Sequence, residues 1–230
     1  PENETFQAYL KDQFETLELL YIEQDQRDRL WIASNKGYFI FDPRTRGYQH
    51  VNKVTGDSTG LLTERIHSFT QTDSATMWMA TNGGGIARIR LDAARNPGTY
   101  QHYTQKDGLS DNVAYGILAD QQGDLWISTN DGLSHFRREQ GTFTHYKEGD
   151  GLQSNEFNSG SFHKTRDGKL YFGGIDGLNS FRPEKISQNP YKPPVVLKQV
   201  TVMGSPLAAE KPLHELQAIE LAHNEDIISL

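Results

Sequence analysis

Apolar and polar positions in this chain alternate in short runs, and the runs recur as a set. Four stretches carry the repeat: DRLWIASNKGYFIF (28–41), ATMWMATNGGGIARI (75–89), GDLWISTNDGLSHF (123–136) and GKLYFGGIDGLNSF (168–181). Aligned on their aromatic they give Trp31, Trp78, Trp126 and Tyr171, spaced by 47, 48 and 45 residues. Apolar residues flank each aromatic, two small residues follow, and then comes a turn: Asn35-Lys36-Gly37, Asn82-Gly83-Gly84, Asn130-Asp131-Gly132 or Asp176-Gly177. Asn-Gly and Asp-Gly tolerate positive φ and mark tight hairpins between such runs.

An alternating run precedes each aromatic: LELLYIEQD, RIHSFTQTD, VAYGILADQ and FNSGSFHKT. A fourth run follows the first three copies, at 47–51, 99–103 and 142–146. Units of this length with four short strands and no helical period predict β-propeller blades. The expected fold is all-β: blades of four antiparallel strands in a partial ring. The boundaries fall near 14–62, 63–109, 110–153 and 154–186. Residues 1–13 are expected to carry the outer strand of a preceding blade, with Phe6 and Tyr9 facing inward. The recurring aromatics read as packing between neighbouring blades.

Composition narrows the function. With 23 Lys and Arg against 30 Asp and Glu the net charge is −7, and no basic cluster offers a field for phosphate. No nucleic-acid partner is expected. The absence of cysteine removes disulfides and thiolate metal sites, and suits an oxidising compartment. No apolar run reaches the roughly 18 residues a membrane span needs, so this segment is expected to make no membrane contact. The chain starts abruptly and stops mid-pattern, as a segment of something longer would.

The stretch DGLSDNVAYGILADQQGDLWISTNDGLSHF (107–136) resembles the two-component regulator propeller repeat, whose unit runs from Gly-Leu-Ser/Pro-x-Asn through Leu-Trp-Ile-Gly-Thr to Gly-Leu-x-x-Phe. Asp150-Gly151-Leu152-Gln153-Ser154-Asn155 repeats the opening, and Gly60-Leu61-Leu62 is a degraded form. The fourth unit departs, with Tyr171 for Trp and Gly-Gly for Gly-Thr. Downstream, NPYKPPVVLKQVTVMGSPL (189–207) and IELAHNEDIISL (219–230) resemble the linker and first strands of the Y_Y_Y immunoglobulin-like module, so 187–230 is expected to hold its truncated start. The resemblance implies the extracytoplasmic, periplasmic sensor of an inner-membrane receptor whose output is a hybrid histidine kinase or a GGDEF-type diguanylate cyclase. It implies ligand sensing here and signalling elsewhere, with no enzymatic role for this segment. It also implies seven blades per ring, so four leave two faces bare, to be covered by the remaining blades of the same protein or by another copy. A homodimer is expected in the full receptor.

No catalytic constellation emerges from the residues, and no cofactor or metal is expected. His50, His102 and His145 recur in the fourth run, but at a propeller rim they stand too far apart to share an ion. Asp25…Asp28 and Asp120…Asp124 lack the ladder of a calcium loop and read as hairpin turns. Ligand is expected where the lead-in loops run into the innermost strands: Asp111, Asn112 and Tyr115 in one unit, with Asn155, Glu156 and Asn158 in the next. Asn and Tyr both donate and accept hydrogen bonds, which suits an oligosaccharide or a peptide. For Asn112 and Asn155 the competing role is fixing the loop through backbone hydrogen bonds. Asp111 and Glu156 could instead form a carboxylate pair of the kind that cleaves glycans, the reading of an extracellular propeller enzyme (lyase or hydrolase). A protein-interaction propeller is the third alternative.

Overall fold

The computed structural model describes residues 8–9, 16–53, 60–186, 199–206 and 228–229. The chain divides into two compact units, Pro1–Ile186 and Ser187–Leu230. The first is a set of antiparallel sheets whose strands pair in chain order. Blade 1 contains β1 (Leu19–Gln24), β2 (Leu30–Ser34), β3 (Gly37–Asp42) and β4 (Gly47–Val51). Blade 2 contains β5 (Ile66–Asp73), β6 (Thr76–Thr81), β7 (Ile86–Leu91) and β8 (Pro97–Tyr103). Blade 3 contains β9 (Ala114–Ala119), β10 (Leu125–Thr129), β11 (Gly132–Arg137) and β12 (Thr142–Tyr146). Blade 4 contains β13 (Phe157–Lys164), β14 (Leu170–Gly174) and β15 (Gly177–Phe181). It thus has three strands among the described residues, where the repeat calls for four.

In the second unit, β16 (Thr201–Val202) pairs antiparallel with both β17 (Ser205–Pro206) and β18 (Ile228–Ser229). The proline-rich connector 187–198, the rest of the segment resembling the immunoglobulin-like module, and Phe6 lie outside the described residues.

The core consists of layers between blades. Side chains alternate across a strand, so each sheet has two apolar faces to cover. Trp31 and Tyr38 from blade 1 meet Phe69, Met77 and Ile89 from blade 2. Trp78 and Ile86 from blade 2 meet Ile117, Leu125 and Phe136 from blade 3. Trp126 and Leu133 from blade 3 meet Phe157, Leu170 and Phe172 from blade 4. The three tryptophans are 0%, 2% and 1% exposed, which makes them packing residues and leaves no ring face for a ligand. Replacing any of them with Ala is expected to cost about 3–5 kcal/mol. Trp31 lies parallel to Tyr38 at 5.4 Å and edge-on to Phe69 at 5.5 Å, arrangements the ring quadrupoles favour.

Tyr171 occupies the same register position in blade 4, opposite Ser180, and therefore faces away from blade 3. It is only half-buried, with the Lys169 ammonium 4.9 Å from its ring centre. Leu178, two positions from Ser180, shares that face and is 63% exposed. On blade 1, Ile22 stands opposite Ile32 and Tyr48 opposite Phe41, on the face turned away from blade 2; Ile22 and Tyr48 are exposed. Tyr9 partly covers this face, its ring 4.9 Å from that of Phe41. The large exposed apolar residues of the described propeller strands belong to blades 1 and 4, while blades 2 and 3 have none. This is the burial pattern of an open arc. At the hub its ends approach, with Tyr21 of β1 and Phe162 of β13 at 5.2 Å.

Candidate functional site

Two lead-in loops are built alike. In the first, Thr104 caps a 3₁₀ turn over Gln105–Asp107, and Gly108 closes it at φ 102°. In the second, Lys147 precedes the turn Glu148–Asp150, and Gly151 closes it at φ 101°. Only glycine takes that backbone conformation without strain. The Asn112 side-chain oxygen accepts from the Gln105 amide, and the Asn155 side-chain oxygen accepts from the Glu148 amide, each at 2.9 Å. Both asparagines therefore hold their loops through the side-chain oxygen.

The main chain of these loops also latches the preceding blade. The Asn112 carbonyl accepts from the amides of Gly83 (3.0 Å) and Gly85 (2.8 Å). The Asn155 carbonyl accepts from Gly132 (2.7 Å), and that of Glu64 from Gly37 (2.6 Å). The hairpin turns of blades 1, 2 and 3 are thus tied to the loop that opens the next unit.

Tyr115 stands at the start of β9, half-buried, its ring stacked on His67 of β5 at 5.0 Å. Its hydroxyl donates to Asn130 Oδ1 at 2.7 Å. Burial raises the pKa of this hydroxyl above the usual tyrosine range, and the charges of Glu156 and Asp111 add to the effect. The phenol is therefore neutral and can donate. Asp111 binds the Val113 amide through one oxygen (2.7 Å), a local turn of the kind Asp favours. Glu156 and Asn158 are exposed, Asn158 on β13. The structure thus brings Asp111 and Glu156 each within electrostatic reach of the Tyr115 hydroxyl. It adds Asn130, whose part the sequence does not announce because it lies across a hairpin from Tyr115. His67 is buried, with Nδ1 2.8 Å from the Ala114 carbonyl; burial depresses its pKa, so the ring is neutral and its Nδ1 donates.

A second cluster sits between blades 3 and 4. Asp120 Oδ1 accepts from the amides of Gln122 (2.9 Å) and Asp124 (3.0 Å), and Oδ2 accepts from the Trp126 indole at 3.3 Å. Asp25 repeats this in blade 1, accepting from Arg27, Arg29 and the Trp31 indole. Both aspartates are in turns, and each also anchors the buried tryptophan six residues later. His135 stacks on Trp126 at 4.2 Å, with Nε2 4.0 Å from Asp120 and 3.8 Å from Asp124. Burial lowers its pKa although both carboxylates oppose the shift. Donor atoms of these three residues all lie within 4.8 Å, close enough to reach one cation. The bonds already made by Asp120 account for its position without one.

The fourth-strand histidines do not converge. His50 Nε2 lies 2.6 Å from the Lys36 carbonyl, His102 Nε2 2.8 Å from the Gly60 carbonyl, and His145 Nδ1 3.1 Å from the Ser134 hydroxyl. Each stays within or beside its own blade.

Histidine kinase P4 of Formosa agariphila is 29% identical over 133 residues, 55% of this chain and 10% of that protein. The extracellular domain of BT4673 from B. thetaiotaomicron, assigned as a hybrid two component system, superposes with a TM-score of 0.61 at 24% identity, over 74% of this chain and 23% of that one. The extracellular domain of BT3049 from the same organism, assigned likewise, gives 0.52 at 23% identity, over 96% and 35%. Virginiamycin B lyase from Staphylococcus aureus gives 0.50 at 15% identity, over 77% and 59%. At these identities the structural likeness is one of fold, shared by receptor ectodomains and by a lyase. The chain spans about a tenth of the curated relative and between about a quarter and a third of the two receptor ectodomains. Among the described residues no helix is long and apolar enough to cross a membrane. The family model of the two-component regulator propeller matches residues 108–131, the stretch that runs from the Gly108 turn through Trp126.

Proposed function

We propose that this chain is the extracytoplasmic, ligand-sensing part of a membrane-bound bacterial signal-transduction receptor, its output a hybrid histidine kinase or a diguanylate cyclase. The observation that carries the reading is the Tyr115 cluster. Loops of two adjacent blades present a neutral phenol, an amide and two carboxylates together, on a scaffold whose own aromatics are used up in packing. The histidine kinase relative and the receptor ectodomains with the same fold support it. A periplasmic location follows from the same reading.

The chemistry of the cluster favours an uncharged polar ligand, an oligosaccharide or a peptide, whose hydroxyls or amides exchange hydrogen bonds with Tyr115, Asn130, Asp111 and Glu156. Because its pKa is raised, the Tyr115 hydroxyl keeps its proton at neutral pH and serves binding as a hydrogen-bonding group. Because the lead-in loops also hold the preceding hairpins, a ligand that moves a loop displaces the neighbouring blade, which gives a route for a conformational signal. In the full receptor the bare faces of blades 1 and 4 would be covered by further blades, and two receptors would pair.

The test is a calorimetric and thermal-shift screen of oligosaccharides and peptides, repeated with the double variant Tyr115→Ala, Glu156→Ala. A ligand bound only by the folded state raises the melting temperature. The double variant is expected to lose affinity at least about tenfold, roughly the 1.4 kcal/mol of one hydrogen bond to a charged group. Unchanged affinity would place the ligand on another face.

A further inference from the structure

Three positions recur around each blade aromatic: six residues before it, two residues before it, and opposite it across the hairpin. In blade 1 they are Asp25, Arg29 and Ile40, and the Arg29 guanidinium binds Asp25 Oδ2 through Nε at 2.9 Å. In blade 2 they are Thr72, Thr76 and Arg88, and in blade 4 Thr165, Lys169 and Ser180. Each of these units has at least as many basic as acidic side chains there. Blade 3 inverts the balance. Its three positions are Asp120, Asp124 and His135, two carboxylates and an imidazole with no Lys or Arg among them.

We propose that Asp120, Asp124 and His135 form a site for a divalent transition-metal ion of the zinc class, in the place that the Arg29 guanidinium holds beside Asp25 in blade 1. The side chains are already aimed. Asp120 Oδ1 accepts from the amides of Gln122 and Asp124, and Asp124 Oδ1 accepts from the Arg138 amide at 2.9 Å. Each carboxylate is thus anchored to the main chain through one oxygen and turns Oδ2 towards His135 Nε2, at 4.0 and 3.8 Å. The turn accounts for the Oδ1 contacts but not for this convergence. Nε2 is buried and has no hydrogen-bond partner among the described residues. With metal bonds of about 2.1 Å, tetrahedral donors stand about 3.4 Å apart, so an inward movement of a few tenths of an ångström closes the site. An imidazole nitrogen among the donors suits zinc and its neighbours, whereas calcium and magnesium take oxygen. Asp124 also lines a polar cleft with Gln122, Arg137 and Arg138, which supplies an entry path and water for the remaining coordination position. Arg137, two residues beyond His135, acts against a cation there, but its single charge faces two carboxylates. A bound ion would tie the β9–β10 turn to β11 and brace the Trp126 ring on which His135 stacks.

The test is calorimetric titration of the chelator-treated chain with zinc chloride. One zinc per chain is expected, with affinity falling at least tenfold in Asp124→Asn and in His135→Gln. His163→Gln, at an exposed histidine of β13, should change nothing. Zinc should raise the melting temperature of the parent, and less so that of the two site variants. Near-ultraviolet circular dichroism checks that each variant is folded. The unsubstituted chain offers a readout that needs no variant: in the ring-nitrogen spectrum, zinc should shift the imidazole that contacts Trp126. Zinc binding that survives both site variants, equal loss in His163→Gln, or an unshifted His135 ring at saturating zinc overturns the proposal. So does absence of binding. Calcium bound as tightly as zinc, with His135→Gln neutral, would reduce the site to a carboxylate pair and overturn the nitrogen ligand. None of these readouts involves Tyr115, so the proposed ligand face stands or falls separately.

Discussion

Asp120 offers a graded test of how the blades are held. One carboxylate accepts three hydrogen bonds, from the amides of Gln122 and Asp124 and from the Trp126 indole, and it is 8% exposed. Asp120→Ala removes every acceptor and leaves a buried indole N–H unpaired. At about 1 kcal/mol for each bond, with somewhat more for bonds to a charge, the expected loss is about 3 kcal/mol. For a chain of this size that lowers the melting temperature by about 6–12 °C. Asp120→Asn keeps one carbonyl oxygen for the two backbone amides but turns its NH₂ towards the indole, so it should cost about 1–2 kcal/mol. Blade 2 bounds the smaller figure: Thr72 stands where the aspartate would be, and the Trp78 indole nitrogen is buried without a partner. The assay is thermal unfolding followed by near-ultraviolet circular dichroism, which reports the tryptophan environment. An Ala variant within about 0.5 kcal/mol of the parent, as for an ordinary surface change, would refute the anchoring role. So would an Asn variant as unstable as the Ala one.

Two further outcomes follow from the hub. Glu23 lies in the layer between blades 1 and 2, where burial raises its pKa, only partly opposed by the bond from the Tyr21 hydroxyl (3.0 Å). A carboxyl whose folded pKa is raised contributes stability that is full below its unfolded pKa, about 4.3, and is lost as pH rises through the folded value. Glu23→Gln should therefore gain on the parent between pH 4 and pH 7, and urea denaturation at the two pH values would show it; a constant difference would exclude burial as the cause. Gly116 of β9 faces Phe162 of β13, and a Cβ placed there would overlap the Phe162 ring. Gly116→Ala is expected to destabilise by about 1–3 kcal/mol in the same measurement, and a neutral result would mean that the contact between blades 3 and 4 is loose.

The blades were legible because their determinants are local. A tryptophan between apolar neighbours and an Asn-Gly or Asp-Gly turn recur at a fixed period, and hairpin pairing follows from them. The role of Trp31, Trp78 and Trp126 was readable for the same reason, and so was the loop-fixing alternative for Asn112 and Asn155. What escaped was whatever depends on side chains meeting across a turn or between blades. Asp25 and Asp120 look like turn residues and are, but their second bond, to an indole six residues on, has no signature in composition. Asn130 reaches Tyr115 only because the hairpin folds it back, and His135 approaches Asp120 and Asp124 only through the β10–β11 register.

The carbonyls of Glu64, Asn112 and Asn155 give the chain a direction in time. Every turn they hold belongs to residues translated earlier, so a newly made blade stays unbolted until the ribosome has delivered the start of its successor. Growth from the amino terminus should then proceed in overlapping steps of one unit plus a loop, and a pause just before such a loop would leave the last hairpin free to open.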